Sequence, residues 1–405
     1  MPPTIPTRHP DRPQSVPAMI RAFTLMLGLR EPDAAQFKRL GECLTVGDEP
    51  MDRLVEWMYS TGMGQARPLF EQALAGGIDS IANAPEPLRD FFVRVETIPA
   101  WVDWKQIRRA ELVMRSGGAD GIYIARDIAL LGGYMFAGFN QTLLRTGALE
   151  KGSNKRFAET MQWAMDVISD DGLADFGVGY RSTIRVRLIH GFVRRHVAAM
   201  PDWRSEDFGL PINQTDMAAT LVGALIAPTA GALGMGMLIR PADLDAVAHL
   251  TRYVGWLIGV QDDFLPTSFR DAMRVLYHTL SVLSSPDETT KQLAVPMAED
   301  PLTWNYDRFP QLRRRLARAQ HLSMTSAFLG PRAMRSLGLP AFVLPWYPLI
   351  RIPINATRSA AAVALPGGRE RASARGAREL AAFMRTISED GATIGASAQH
   401  IGQAA

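Results

Sequence analysis

Apolar residues recur along most of the chain at spacings of three and four, and sustained alternation of apolar and polar positions is nearly absent. That periodicity predicts an all-α fold. Leu244, Val247, Ala248, Thr251, Val254 and Ile258 form one such stripe, with Pro241 placed where a first helical turn tolerates proline. Comparable stripes predict helices over 51–76, 86–97, 104–116, 121–146, 156–169, 182–198, 213–227, 268–283 and 311–329. Turn-forming residues separate them, as at Ser116-Gly117-Gly118 and Ser285-Pro286-Asp287. No strong linker interrupts 31–358, which predicts one large helical domain behind a proline-rich segment, 1–30. Residues 359–405 shift to Ala, Gly, Arg and Ser, and they read as a tail with a helical patch at 377–387.

One stretch tests the globular reading. Residues 217–239 carry no charge, and a helix of that length spans a hydrocarbon layer of about 30 Å. Its glycines make it only modestly hydrophobic, and Pro228 is expected to divide it. Two buried core segments are therefore favoured over a membrane span, with membrane association as the weaker alternative.

Composition narrows the function classes. With 47% hydrophobic and 21% charged residues among 405, the chain has ample material for a core. The formal charge of +3 comes from scattered basic residues, so no nucleic-acid partner is indicated. A lone Cys43 excludes an intramolecular disulfide framework and Cys-based zinc or iron–sulfur sites within one chain. Lacking a glycine-rich ligand loop, it also argues against thiolate-ligated haem. Residues 1–17 contain no apolar signal core, and a cytoplasmic protein is expected.

The histidines carry the candidate chemistry. On the helix expected at 182–198, His190 shares a face with Val186, Val193 and Val197, while Arg185, Arg187, Arg194 and Arg195 flank it. An imidazole on an apolar face can ligate haem iron, with Arg187 and Arg194 meeting the propionates. It can equally be a hydrogen-bonded core histidine. On the helix from residue 156, Arg156, Thr160, Trp163 and Val167 fall on one side. They suit either a bound anionic or dioxygen-derived ligand or an arginine that reaches solvent. A carboxylate-bridged diiron site is not indicated, because the chain has no Glu-x-x-His motif.

Arg156-Phe157-Ala158-Glu159-Thr160, followed thirty residues later by Val186-Arg187-Leu188-Ile189-His190-Gly191-Phe192-Val193-Arg194 and then by Pro211-Ile212-Asn213-Gln214-Thr215-Asp216, resembles the rubber oxygenase (latex clearing protein) and MpaB-type oxygenase family. The resemblance spans roughly 101–266. It implies a b-type haem in a globin-like helical core, with His190 as proximal ligand and sole protein ligand to the iron, and Arg156 and Thr160 in the distal surroundings. It also implies a dioxygenase-type reaction in which dioxygen cleaves a C=C bond of an apolar isoprenoid or lipid. A non-enzymatic haem protein that binds or senses dioxygen is the alternative.

Two departures bear on mechanism. Glu159 stands where members of the family can carry a lysine that closes the sixth iron position, so lysine ligation is not expected here. The family's upstream catalytic glutamate corresponds to the region Phe139-Asn140-Gln141-Thr142, and Asn140 cannot serve as a base. Glu150 is the nearest upstream carboxylate and reads as an exposed loop residue.

Overall fold

The computed structural model describes residues 4–147, 152–388 and 391–395. Helices account for the regular structure among them; the one β-type pairing is an isolated bridge between Phe136 and Ser285. The fold class expected from the periodicity is the one found.

The apolar helix Gln214–Gly234 runs through the centre. Asn213 caps it by accepting from the Asp216 N–H at 3.0 Å, and this satisfies a donor that the first turn leaves free. Phe269–Leu283, Pro241–Ile258 and Gly118–Ile124 pack around it. Contrary to expectation, Pro228 does not divide the helix. The missing N–H costs a single intrahelical bond, and close packing on several sides holds the rest. Among the described residues this is the one helix long and apolar enough to cross a membrane, and most of it is buried inside the protein.

Other differences from the periodicity have local causes. The stripe over 51–76 becomes two helices, Glu49–Thr61 and Met63–Gly76, because Gly62 adopts φ +93° between them. The stripe over 121–146 breaks into Gly118–Ile124, a π turn at Ala125–Leu130, a short helical turn and Ala137–Arg145. That π turn buries Arg126 and Asp127 completely. Arg126 donates to Asp127 at 2.7 Å and to the Met297 carbonyl, and Asp127 meets His321 Nδ1 at 2.6 Å. Single π turns of this kind recur inside α-helices where local packing is special.

The described residues from 359 to 388 pack against the rest of the protein. Trp346–Ala364 and Gly368–Ile387 are helices, and the second lies along Trp104–Ser116. A Cβ at Gly376 would strike the Arg115 carbonyl, so the small residues there permit close helix packing. Arg115 reinforces the contact by donating to Ser373 at 2.9 Å and to the Ile168 carbonyl at 2.9 Å. An Ala/Gly/Ser-rich composition reads as a tail in sequence and serves as a packing surface in space. The proline-rich segment is also tied down, since Arg8 grips Asp216 with two bonds of 3.1 and 2.7 Å.

Candidate functional site

Two helices set the site. Ser153–Val167 and Val178–Ala198 pack side by side, pinned where Trp163 Nε1 donates to Thr183 Oγ1 at 3.1 Å inside the core. Spacings of three and four then bring Arg156, Glu159, Thr160 and Trp163 to one wall of a shared cavity. Val186, Ile189, His190 and Val193 line it from the second helix. The central helix adds Met217, Thr220, Leu221 and Ala224, and Ala137–Arg145 adds Phe139 and Leu143. The cavity measures about 310 Å³, within the range of small-molecule sites and mostly apolar, as they are.

The structure thus brings His190, Arg156 and Thr160 together. It does not bring Arg187 and Arg194, expected beside them as cofactor contacts, to the same cavity lining. Helical geometry gives the reason. At about 100° per residue, Val186, Ile189 and Val193 lie to one side of His190, and Arg187 and Arg194 lie to the other. Both arginines therefore turn toward the start of Glu49–Thr61. Arg187, buried, makes two bonds of 2.7 Å to Asp48, donates to the Leu257 carbonyl at 2.9 Å and stacks over Phe91. Arg194 donates to Asp52 at 2.7 and 2.6 Å and to the Ile212 carbonyl at 3.0 Å. Arg185 and Arg195 are likewise held, by Glu71 and Glu56.

His190 itself has an unusual setting. Its Nδ1 is buried with no hydrogen-bond partner. Burial, reinforced by the nearby Arg194 charge and opposed by Asp48, pushes its pKa down to about 4, so the imidazole is neutral at pH 7 with a lone pair available. The other core histidines are committed. His249 Nε2 accepts from the Asp103 N–H at 2.9 Å, His278 Nε2 contacts the Arg30 carbonyl at 3.1 Å, and His321 pairs with Asp127. A neutral, unspent imidazole on an apolar cavity wall is a donor that suits an axial iron position. Among the described residues no three His, Cys, Asp or Glu side chains cluster as a metal site, so His190 would act as a single side-chain ligand.

The lining contributed by Ser153–Val167 is polar in patches. Arg156 is the one cation lining the cavity among the described residues. Thr160 Oγ1 donates to the Arg156 carbonyl at 3.0 Å, so its hydroxyl must rotate to donate to anything in the cavity. Asn140 does not line the cavity; buried, it donates to the Tyr134 carbonyl at 2.7 Å and to Thr289 at 3.2 Å. Glu150 lies outside the described residues. Two carboxylates that were not singled out as site groups do reach the wall, Glu159 and Asp216. The i, i+3 spacing from Arg156 announces the first. Asp216, Thr220 and Ala224 at intervals of four announce the second, although Arg8 already grips its oxygens. Ile212 also lines the cavity, in a left-handed conformation (φ +50°) that is rare for a β-branched residue.

Residues 122–364 match the family described as ER-bound oxygenase mpaB/B'/rubber oxygenase, catalytic domain. The chain belongs to this family. The match covers more than half of the sequence and includes both helices that carry Arg156, Thr160 and His190. The rubber oxygenase of Streptomyces sp. (strain K30) is 23% identical over 203 residues, 49% of this chain and 48% of that protein. The chain thus matches about half the length of this relative. The solved structure of the latex clearing protein in the closed state superposes with a TM-score of 0.61 at 20% identity, covering 84% of this chain and 90% of that one. At that identity the likeness is one of fold.

Proposed function

We propose that this family member is a haem b-dependent oxygenase, with a globin-like haem-binding core, that uses dioxygen to cleave a carbon–carbon double bond of an apolar isoprenoid or other unsaturated lipid. The observation that carries the reading is the meeting, in the lining of one mostly apolar cavity, of an imidazole with no hydrogen-bond partner and the Arg156/Thr160 face of the neighbouring helix. His190 would hold the cofactor, and the cofactor when bound supplies the activation of dioxygen. Adding both atoms of dioxygen across a C=C bond yields two carbonyl groups, so atoms and electrons balance without an external reductant.

The chain's own residues have separable tasks. The aliphatic walls from Val186, Ile189 and Leu221 accept a hydrocarbon and exclude water. Arg156, half-buried, places a fixed positive charge where negative charge on oxygen would develop, and a charge partly withdrawn from water acts more strongly than one in it. Thr160 adds a rotatable hydroxyl one helical turn along. Asp216, neutralised by Arg8, positions the first turn of the central helix.

An absorption spectrum of the purified protein tests the cofactor. A Soret band with stoichiometric haem is expected, together with carbonyl products from an unsaturated lipid under dioxygen. Absence of haem from protein expressed with ample haem supply would overturn the reading. Haem without product from any unsaturated lipid would leave a dioxygen carrier or sensor.

A further inference from the structure

The His190 cavity has a neighbour. A second cavity of about 170 Å³ lies on the side of Trp346–Ala364 and Gly368–Ile387, and three wall elements pass from one cavity to the other. On the central helix, Met217, Leu221 and Ala224 face the first cavity, and Ala224, Pro228 and Ala232 face the second. Spacings of three and four make these five positions one continuous stripe. On Ser153–Val167, Thr160 and Trp163 face the first cavity, and Met161, Ala164 and Met165 face the second. From the segment around the π turn, Leu130 faces the first and Ala125 the second. Ala224 belongs to both. Its side chain is a methyl group, and Pro228 one turn later cannot donate to its carbonyl, so little obstructs the join.

The second cavity is apolar within and basic at its rim. Arg351, Arg358, Arg369 and Arg375 meet only two lining carboxylates, Asp243 and Glu379. Asp120 takes the charge of Arg351 at 2.7 Å, and Asp243 takes that of Arg369 at 2.6 Å. Arg375 is left 3.7 Å from Glu379, whose other oxygen accepts the Ala119 N–H at 3.1 Å. Arg358 has no carboxylate partner among the described residues. Two guanidiniums therefore stand at the rim with weak or no compensation, above an apolar interior.

We propose that the two cavities form one tunnel for a single-chain amphiphile with an acidic head, its carboxylate or phosphate held at Arg358 and Arg375 and its unsaturated tail running past Ala224 into the His190 cavity. Guanidiniums pair with either head by charge-assisted bonds, and the apolar stripe takes the tail. The identity of the reacting end rests on the oxygenase reading; the binding of the amphiphile does not.

Calorimetric titration of the purified protein, without turnover, tests the tunnel. Oleic acid should bind at least tenfold more tightly than oleyl alcohol, and geranylgeranyl phosphate likewise against geranylgeraniol if phosphate heads are accepted. The paired substitution Arg358→Glu and Arg375→Glu, at rim positions that leave the core intact, should erase the preference while the alcohols bind as before. In the unmodified protein, affinity should rise with tail length beyond ten carbons. In Ala224→Leu, checked for an unchanged melting temperature, oleic acid should fall to the affinity of decanoic acid. Equal binding of acid and alcohol, or a preference that survives the paired substitution, overturns the head site. Affinity that stops rising at ten carbons in the unmodified protein overturns the join. If the protein proves to hold no haem yet prefers the acids in this way, the oxygenase reading fails and the tunnel stands.

Discussion

Arg194 donates to the main-chain oxygen of Ile212 at 3.0 Å while its other nitrogens hold Asp52. One guanidinium thus links the helix that carries His190, the helix Glu49–Thr61 and a left-handed residue that lines the cavity. A conformation of that kind costs on the order of 1–3 kcal/mol and persists only when its surroundings fix it. Arg194 is part of what fixes it.

The flanking arginines should therefore act on folding. Arg187 and Asp48 are both buried, and removing one partner of such a pair leaves an uncompensated charge, a loss of about 3–5 kcal/mol. Arg187→Ala should lower the denaturant midpoint of the cofactor-free protein accordingly. Arg194→Ala should cost less, because Asp52 is partly exposed and can be rehydrated. Midpoints unchanged in both variants would return these arginines to consideration as cofactor contacts.

His190→Ala should abolish haem retention. His249→Ala and His278→Ala should retain it, since those rings already serve Asp103 and Arg30. Haem content by absorbance, with and without added imidazole to fill the space left in His190→Gly, separates ligation from mere packing. Full haem content in His190→Ala would refute the assignment.

What the sequence made legible, and what it did not, follows from the range of the interactions. Arg156, Thr160 and Trp163 were readable as one face because helical spacing is a local rule, and the same rule includes Glu159. The helix starts expected at 104, 213 and 268 fall within a residue of those found, where Asp103, Asn213 and Ser268 cap their own turns. The π turn was not legible, because the partners of Arg126 and Asp127 within it include Met297 and His321, far away in the chain. The partners of Arg187 and Arg194 were hidden for the same reason. Their carboxylates lie on an element that periodicity does not connect to theirs, and a cation beside a histidine looks alike whether it faces a ligand or a remote aspartate.

Arg156→Ala and Thr160→Ala should lower turnover more than haem occupancy, because cavity-lining groups that do not hold the cofactor act on the reaction more than on its retention. Loss of a preorganised charge or donor in a site is commonly worth about 10²–10³ in rate. The loss should be greater for Arg156, whose charge is fixed, than for Thr160, whose hydroxyl is bonded within its helix. Wild-type turnover in both would make the face structural.

Glu111 gives a pH signature independent of the cofactor. It is buried on Trp104–Ser116, and one carboxylate oxygen has no partner. Burial, opposed by the Arg115 charge, pushes its pKa up to about 7. The folded state therefore holds a proton that the unfolded state releases from about pH 4.5 upward. This contribution to stability is fully present below pH 4.5 and is lost as pH rises toward 7, with a slope of at most about 1.4 kcal/mol per pH unit. Glu111→Gln should flatten that part of the profile and raise stability at pH 8. An identical pH dependence of the unfolding midpoint in the variant would show that the carboxyl titrates normally.

The last prediction concerns the sixth position of a ferric haem held by His190. Glu159 lies on the cavity wall one turn from Arg156, whereas Lys155 is exposed and does not line that cavity; Lys151 lies outside the described residues. A carboxylate is a weaker-field ligand to ferric iron than a neutral amine, so the resting protein should give a mainly high-spin electron paramagnetic resonance signal and bind added imidazole readily. Lys155→Ala should leave that signal unchanged. Glu159→Lys places an amine where the carboxylate stood, on the wall of the cavity that His190 also lines and in mostly apolar surroundings that favour its neutral form. It should convert the signal to low spin above the pKa of the new amine and slow imidazole binding. A native protein that is already low spin and becomes high spin in Lys155→Ala would show that Lys155 swings into the cavity, and the contrast drawn between Glu159 and a lysine gate would fail.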